Sequence, residues 1–302
     1  MERPHRRRIG GIVFMSCRTC IVAEGGGLRG SYVVGVIKAL TEKFNITSVD
    51  LAVGTSSSAA TLAYYVTQQF DSIMNIWTNL LTTRQLVRFR NALAGKPILN
   101  IDYVIDFIFK QQDRLDIDRL KSDTTQFFVP VTDYDTGDAK FFSNQDDADF
   151  FEVLRAAMAI QVFYGKSVEI GRGRFVDGAL SIPLGITKAF DAGATDIIVI
   201  STRPSGFKRS YSMPERLMLE LFTRGWTEGL KHKVESYPDR YNSLMDAIKE
   251  ELEKKERNIV LIQPLSKVAA GKLDNSRESL LRSIEQGYAD ACHHHELESF
   301  GT

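Results

Sequence analysis

The chain predicts an α/β fold: a mainly parallel central sheet with helices on both faces, and a mostly helical C-terminal extension. Three observations predict it. Cys20-Ile21-Val22-Ala23 runs into the loop Gly25-Gly26-Gly27-Leu28-Arg29-Gly30, and Leu51-Ala52-Val53 runs into Gly54-Thr55-Ser56-Ser57-Ser58. Each loop is followed by a helical pattern, and right-handed crossovers bring both loops to the same edge of a parallel sheet. Farther on, Asp196 to Ser201 carries the continuous apolar run of a strand buried on both faces.

The elements follow in order. Val33, Val36, Ile37 and Leu40 give residues 31–44 one apolar helical face. Asn45 to Ser48 break that helix, a second strand starts near Val49, and Ala59 to Gln69 form a second helix rich in small residues. Residues 71–125 read as a helical insertion. Its largely apolar stretch Ile98 to Phe109, with Asp102 and Asp106 four apart on one face, reads as a core helix or as a cap lining an acyl-chain pocket. Phe127 to Thr132 and Lys140 to Phe142 flank Asp135-Thr136-Gly137-Asp138, a strand-turn-strand signal. A helix follows over Phe151 to Ala159, then a strand over Lys166 to Ile170. A Gly-Arg-Gly turn leads into Arg174-Phe175-Val176, which ends on Asp177-Gly178-Ala179, and Pro183 opens another helix. Past Pro204 the pattern changes: Glu215 to Arg257 is charged and mostly helical, Asn258 to Gln263 reads as a strand, and Ser276 to Cys292 as a closing helix. The expected organisation is a dispensable leader at 1–18, a catalytic domain at 19–205 carrying the insertion at 71–125, and an extension at 206–302.

Composition excludes several classes. The 302 residues are 43% hydrophobic and 25% charged, with 38 basic and 38 acidic side chains, a balance that offers nucleic acid no basic stripe. No apolar run reaches the roughly 18–20 residues of a bilayer span. Arg6-Arg7-Arg8, Ile9 to Phe14 and Cys17 loosely imitate an export signal, but the apolar part is short and holds two glycines, so a cytoplasmic location is expected. Three cysteines make no disulfide framework, and Cys17-x-x-Cys20 enters a strand rather than opening a helix, as incidental thiols would. His293, His294 and His295 read as a solvated tail rather than a metal site.

The loops carry the chemistry. Gly25-x-Gly27-x-x-Gly30 also satisfies a dinucleotide fingerprint, which wants an acid at the far end of the second strand. Here the acid, Asp50, lies at its start, and no Gly-Lys-Ser/Thr follows to make a P-loop. Gly54-x-Ser56-x-Ser58 departs from the Gly-x-Ser-x-Gly elbow only at its last position, where serine is still small. Ser57 and Ser58 are nucleophile candidates too; the elbow geometry favours Ser56. Of the five histidines, His5 is in the leader, His232 in a Lys-rich helix and the other three near the C-terminus. The remaining base is Asp177, at a strand end before small residues. An aspartate of ordinary pKa, about 4, is a poor base for a hydroxyl. It serves if it contacts the serine directly, at roughly 2.6–3.2 Å, with the oxyanion strongly stabilised.

Glu24 to Gly30, Gly54 to Ser58 and Asp177-Gly178-Ala179, in this order, resemble the motifs of the patatin-like phospholipases, as do Val131 to Gly137 and Arg155 to Ile160 between them. The resemblance spans about residues 19–205. It implies a serine acyl-hydrolase acting on lipid esters through a Ser56–Asp177 dyad, with the amides of Gly26, Gly27 and Leu28 as oxyanion hole. Gly25, Gly30, Gly54, Ser58 and Gly178 would support the site, and Arg29 would brace its loop or attract an anionic substrate. It implies neither metal nor cofactor, a lipid or acyl-ester partner, and transient contact with a membrane surface. Ser58 and Ala179 stand where the family more often has glycine. The alternatives are a weak or inactive lipid-binding protein, or a nucleotide-binding protein using the loop at 25–30.

Overall fold

The computed structural model describes residues 7–9, 12–14, 18–94 and 96–301. The expected leader falls mostly outside them; of it, Arg7–Ile9 and Ile12–Phe14 form a short antiparallel hairpin, while Cys17 is not among the described residues. The main sheet contains β1 (Thr19–Ala23), β2 (Leu51–Gly54), β3 (Gln126–Asp133), β4 (Ala139–Ser143), β5 (Val168–Ile170), β6 (Gly173–Asp177), β7 (Asp196–Ile200) and β8 (Asn258–Ile262). Their order is β8-β7-β1-β2-β3-β6-β5, with β4 paired beside β3. β8, β7, β1, β2 and the start of β3 run parallel. The far end of β3 pairs antiparallel with β6, and the hairpin β3–β4 and the pair β5–β6 complete the antiparallel side.

Alternation along the strands splits the core in two, as a sheet covered on both faces requires. Ile21, Ala23 and Ala52 face one cluster, built with α1 (Ser31–Glu42), α2 (Ser57–Val66), α3 (Phe150–Ala157) and α8 (Arg277–Cys292). Cys20, Val22, Leu51 and Val53 face the other, built with α4 (Ile186–Asp191) and α7 (Tyr237–Lys254). The edge strand β8 and the helix α8 come from the segment read as an extension, and they enter the same sheet and the same core.

Several boundaries move. β2 begins at Leu51 rather than near Val49, and α4 at Ile186 rather than at Pro183. The stretch read as one long helical region is three helices, α5 (Met213–Phe222), α6 (Glu228–Glu235) and α7, separated by caps at Ser212, Thr227 and Ser236. In the insertion, Tyr103–Gln112 is wound more loosely than an α-helix, with the Asp113 N–H reaching back five residues to the Ile108 carbonyl. The acidic face of that segment has a use: Asp102 and Asp106 both pair with the largely buried Arg155 of α3, at 2.6 and 2.7 Å. That pins the insertion against the sheet.

Candidate active site

β1 and β2 are adjacent and parallel, so their carboxyl ends present both predicted loops side by side, where open α/β sheets bind ligands. Ser56 sits between β2 and α2 at φ 56°, ψ −129°, a conformation costly for a non-glycine residue. That backbone makes the sharp strand-to-helix turn that the elbow reading of the sequence expects. Its hydroxyl is buried and donates to Asp177 Oδ2 at 2.7 Å. Ser57 Oγ is buried with no hydrogen-bond partner, and Ser58 Oγ donates to the Glu24 carbonyl at 2.7 Å. Among the three serines, Ser56 alone meets a carboxylate. The hydroxyl at 58, where glycine is commoner, ties the serine turn to the glycine loop.

Asp177 ends β6, and Gly178–Leu180 turn away from it in a short 3-10 turn. Its other oxygen accepts the Ala179 N–H at 2.8 Å; its own N–H binds the Ala159 carbonyl, and Thr132 Oγ1 donates to its carbonyl. The carboxylate is thus held from every side. Burial pushes its pKa up to about 6, against the pull of the hydrogen bonds from Ser56 and Ala179 and of the Lys272 charge. The ordinary aspartate expected to be a poor base is therefore shifted towards neutral pH, where a general base is effective.

The glycine loop closes over the serine. A Cβ on Gly25 would lie 2.6 Å from that of Ser56, so no side chain fits there. Gly27 has φ +58°, and a Cβ would fall 2.5 Å from the Lys272 carbonyl. Gly27–Gly30 form one 3-10 turn into α1, whose first N–H groups have no intrahelical acceptor. The Leu28 amide does not join them. It donates to the Lys272 carbonyl at 3.0 Å, because the loop at 270–272 packs against the turn. Of the three amides expected to form an oxyanion hole, the one at Leu28 thus has a protein acceptor. Glu24 anchors the loop from below: its buried carboxylate accepts Ser201 Oγ at 2.6 Å and the Thr202 N–H at 2.7 Å.

Two spaces meet at Ser56. One is the larger cleft, bordered by Gly25, Gly26 and Gly27 and the charged Asp177, Arg29, Arg203 and Lys272, with apolar walls that include Ile160, Leu180 and Trp226. The other is an apolar cavity lined by Trp77, Leu86, Leu99, Ile101, Val104 and Phe109. Half of the residues lining it come from the insertion, which is at once buried core and cavity wall. Burial, reinforced by the Arg203 charge, lowers the pKa of Arg29 to about 10, and its Nε is buried without a partner. Sequence reasoning missed Lys272, Arg203, Thr202 and a functional part for Glu24. Thr202 and Arg203 follow β7 directly and are findable from the rule that strand ends build the site; no local signal marks Lys272. No histidine borders either space: His232 and His295 are exposed, and His5 lies outside the described residues. Among the described residues, no group of three His, Cys, Asp or Glu side chains is placed to hold a metal ion. No helix there is long and apolar enough to cross a membrane.

Comparison with known proteins adds three findings. The patatin-like phospholipase family matches residues 21–190. The chain is 26% identical over 196 residues to the uncharacterized protein YjjU of Escherichia coli (strain K12), covering 64% of this chain and 54% of YjjU. It thus spans about half the length of that curated relative. Among solved structures, the fold is similar to VipD from Legionella pneumophila, with a TM-score of 0.50 and 14% identity over 94% of this chain and 67% of VipD.

Proposed function

Because the chain belongs to the patatin-like phospholipase family, we propose that it is a serine acyl-hydrolase cleaving the carboxylic esters of lipids, of phospholipase A or lysophospholipase type. The observation that carries this reading is the 2.7 Å hydrogen bond from Ser56 Oγ to a buried Asp177. Asp177 takes the serine proton as Oγ attacks the ester carbonyl carbon. Negative charge develops on the carbonyl oxygen, which the N–H groups of Gly26 and Gly27 stabilise, with the N-terminus of α2 behind Ser56 adding its dipole. The C–O bond then breaks, the departing alcohol takes the proton from Asp177, and an acyl-serine remains. Water, deprotonated by Asp177, attacks the acyl carbon; the free acid leaves and the proton returns to Ser56. The acyl chain occupies the apolar cavity and the alcohol portion the larger cleft with the charged border.

The test is labelling with a serine-reactive phosphonate. The wild type should be modified once, at Ser56, and Ser56→Ala should not react. Labelling that persists in Ser56→Ala, or moves to Ser57, defeats the assignment.

A further inference from the structure

The larger cleft is bordered by three cations, Arg29, Arg203 and Lys272, against two carboxylates, Glu24 and Asp177, an excess of one positive charge. Arg29, Arg203 and Lys272 all border it within the same space as Ser56, and none forms an ion pair among the described residues. Their charges lie close enough to act on one another: Arg203 and Lys272 are each within the field of Arg29. The two carboxylates that border the cleft accept hydrogen bonds from neutral donors, Glu24 from Ser201 and Thr202 and Asp177 from Ser56 and Ala179, and their charges partly offset those of Arg29 and Lys272. A fourth cation, Arg209, differs because it is paired with Glu215 at 3.1 Å.

Arg29 supplies the second observation. Its Nε is buried and points at no acceptor, and leaving a buried donor unsatisfied is costly unless a ligand completes it. A guanidinium presents a fork that matches phosphate oxygens. Two of the three aromatic rings bordering the cleft, Tyr211 and Tyr237, already face arginines, while Trp226 faces none among the described residues. Arg209 lies over Tyr211 at 4.8 Å, Arg203 over Phe207 at 4.5 Å and Arg240 towards Tyr237 at 5.9 Å. The apolar cavity also reaches Ser56, and Lys272 borders both spaces.

We infer that this site selects amphiphiles whose headgroup is net negative, a phosphate held by Arg29, Arg203 and Lys272 while the acyl chain enters the apolar cavity. Zwitterionic choline headgroups are disfavoured, because their ammonium enters the same positive field. This specificity rests on the hydrolase reading above, and the experiment separates the two. Binding is read without turnover, by calorimetric titration of the Ser56→Ala protein with dodecyl phosphate, dodecylphosphocholine and inorganic phosphate, below micelle formation.

Dodecyl phosphate should bind at least about tenfold more tightly than dodecylphosphocholine. Adding Arg203→Gln and Lys272→Gln should bring the two within about twofold, whereas Arg203→Lys with Lys272→Arg should keep the preference. If the double Gln variant fails to fold, Arg203→Gln alone, at a half-buried side chain, should halve the preference or more. Equal affinity for the two amphiphiles overturns the inference. Inorganic phosphate binding as tightly as dodecyl phosphate overturns the headgroup assignment in favour of a free-anion site. A preference for dodecyl phosphate in a wild-type protein that hydrolyses neither lysophosphatidic acid nor lysophosphatidylcholine upholds the inference and sinks the hydrolase reading instead.

Discussion

Ser56 and Asp177, 121 positions apart in the chain, meet through a single 2.7 Å hydrogen bond in which the serine donates and a buried carboxylate accepts. Only the ionised carboxylate can take the serine proton, and burial raises the Asp177 pKa to about 6. Ester hydrolysis is therefore expected to fall below about pH 6, roughly tenfold per unit at the acid limit. A kcat/KM profile that stays flat down to pH 4 would contradict Asp177 as base.

The same shift makes a prediction about stability. With a folded pKa near 6 and an unfolded one near 4, the native state holds the proton more tightly. The stability contributed by protonated Asp177 is complete below about pH 4 and lost as pH rises through 6. Asp177→Asn mimics the protonated form, so it should be more stable than wild type at pH 8, by about 1–3 kcal/mol, and little different at pH 4. Urea unfolding at the two pH values measures this; equal stability at pH 8 counts against a destabilised native carboxylate.

Asp177→Asn should nonetheless lose activity nearly as completely as Ser56→Ala, and the double variant should be no worse than either, because the pair acts as one unit. A variant lacking all five histidines should keep turnover within severalfold. If that protein is folded but dead, a histidine acts as the base and the dyad is wrong.

Gly27 combines a positive φ with a close approach to the Lys272 carbonyl. Gly27→Val should cost stability and, by turning an amide from the developing oxyanion, on the order of 10²–10³ in kcat. Unchanged kcat and unchanged melting temperature would remove Gly27 from the site.

The apolar cavity predicts a chain-length effect. Ala60 is buried in its wall, and Ala60→Leu adds bulk where a long acyl chain would lie. The ratio of dodecanoate to butanoate ester hydrolysis should drop by about tenfold or more, since each buried CH₂ contributes about 0.8 kcal/mol. An unchanged ratio places the chain elsewhere.

What the sequence made legible follows from locality. The loops at 25–30 and 54–58 each continue a strand, and adjacent parallel strands bring their ends together, so Gly26, Gly27 and Ser56 could be placed without coordinates. Asp177 is legible as a strand-end carboxylate because small residues follow it. The direction of that strand was not readable: β3 is parallel to β2 at Phe128 but antiparallel to β6 at Val131, and no local pattern encodes such a change of partner. The contact at Leu28 is not legible locally, because its N–H acceptor, Lys272, comes from a segment remote in sequence. Likewise Asp102 and Asp106 signalled one shared face, but not that Arg155 would occupy it.

The contact between α1 and α8 sets the order in which these parts can come together. Gly35 lies against the Ile284 carbonyl and Gly287 against the Tyr32 carbonyl, so close that no Cβ fits at either glycine. During synthesis, the serine, the aspartate and the glycine loop all leave the ribosome well before Lys272 and α8. Until those arrive, the Leu28 N–H lacks its acceptor and the Tyr32–Val36 face of α1 is bare. A nascent fragment that stops short of residue 270 then holds Ser56 and Asp177 without the segment that clamps the glycine loop beside them.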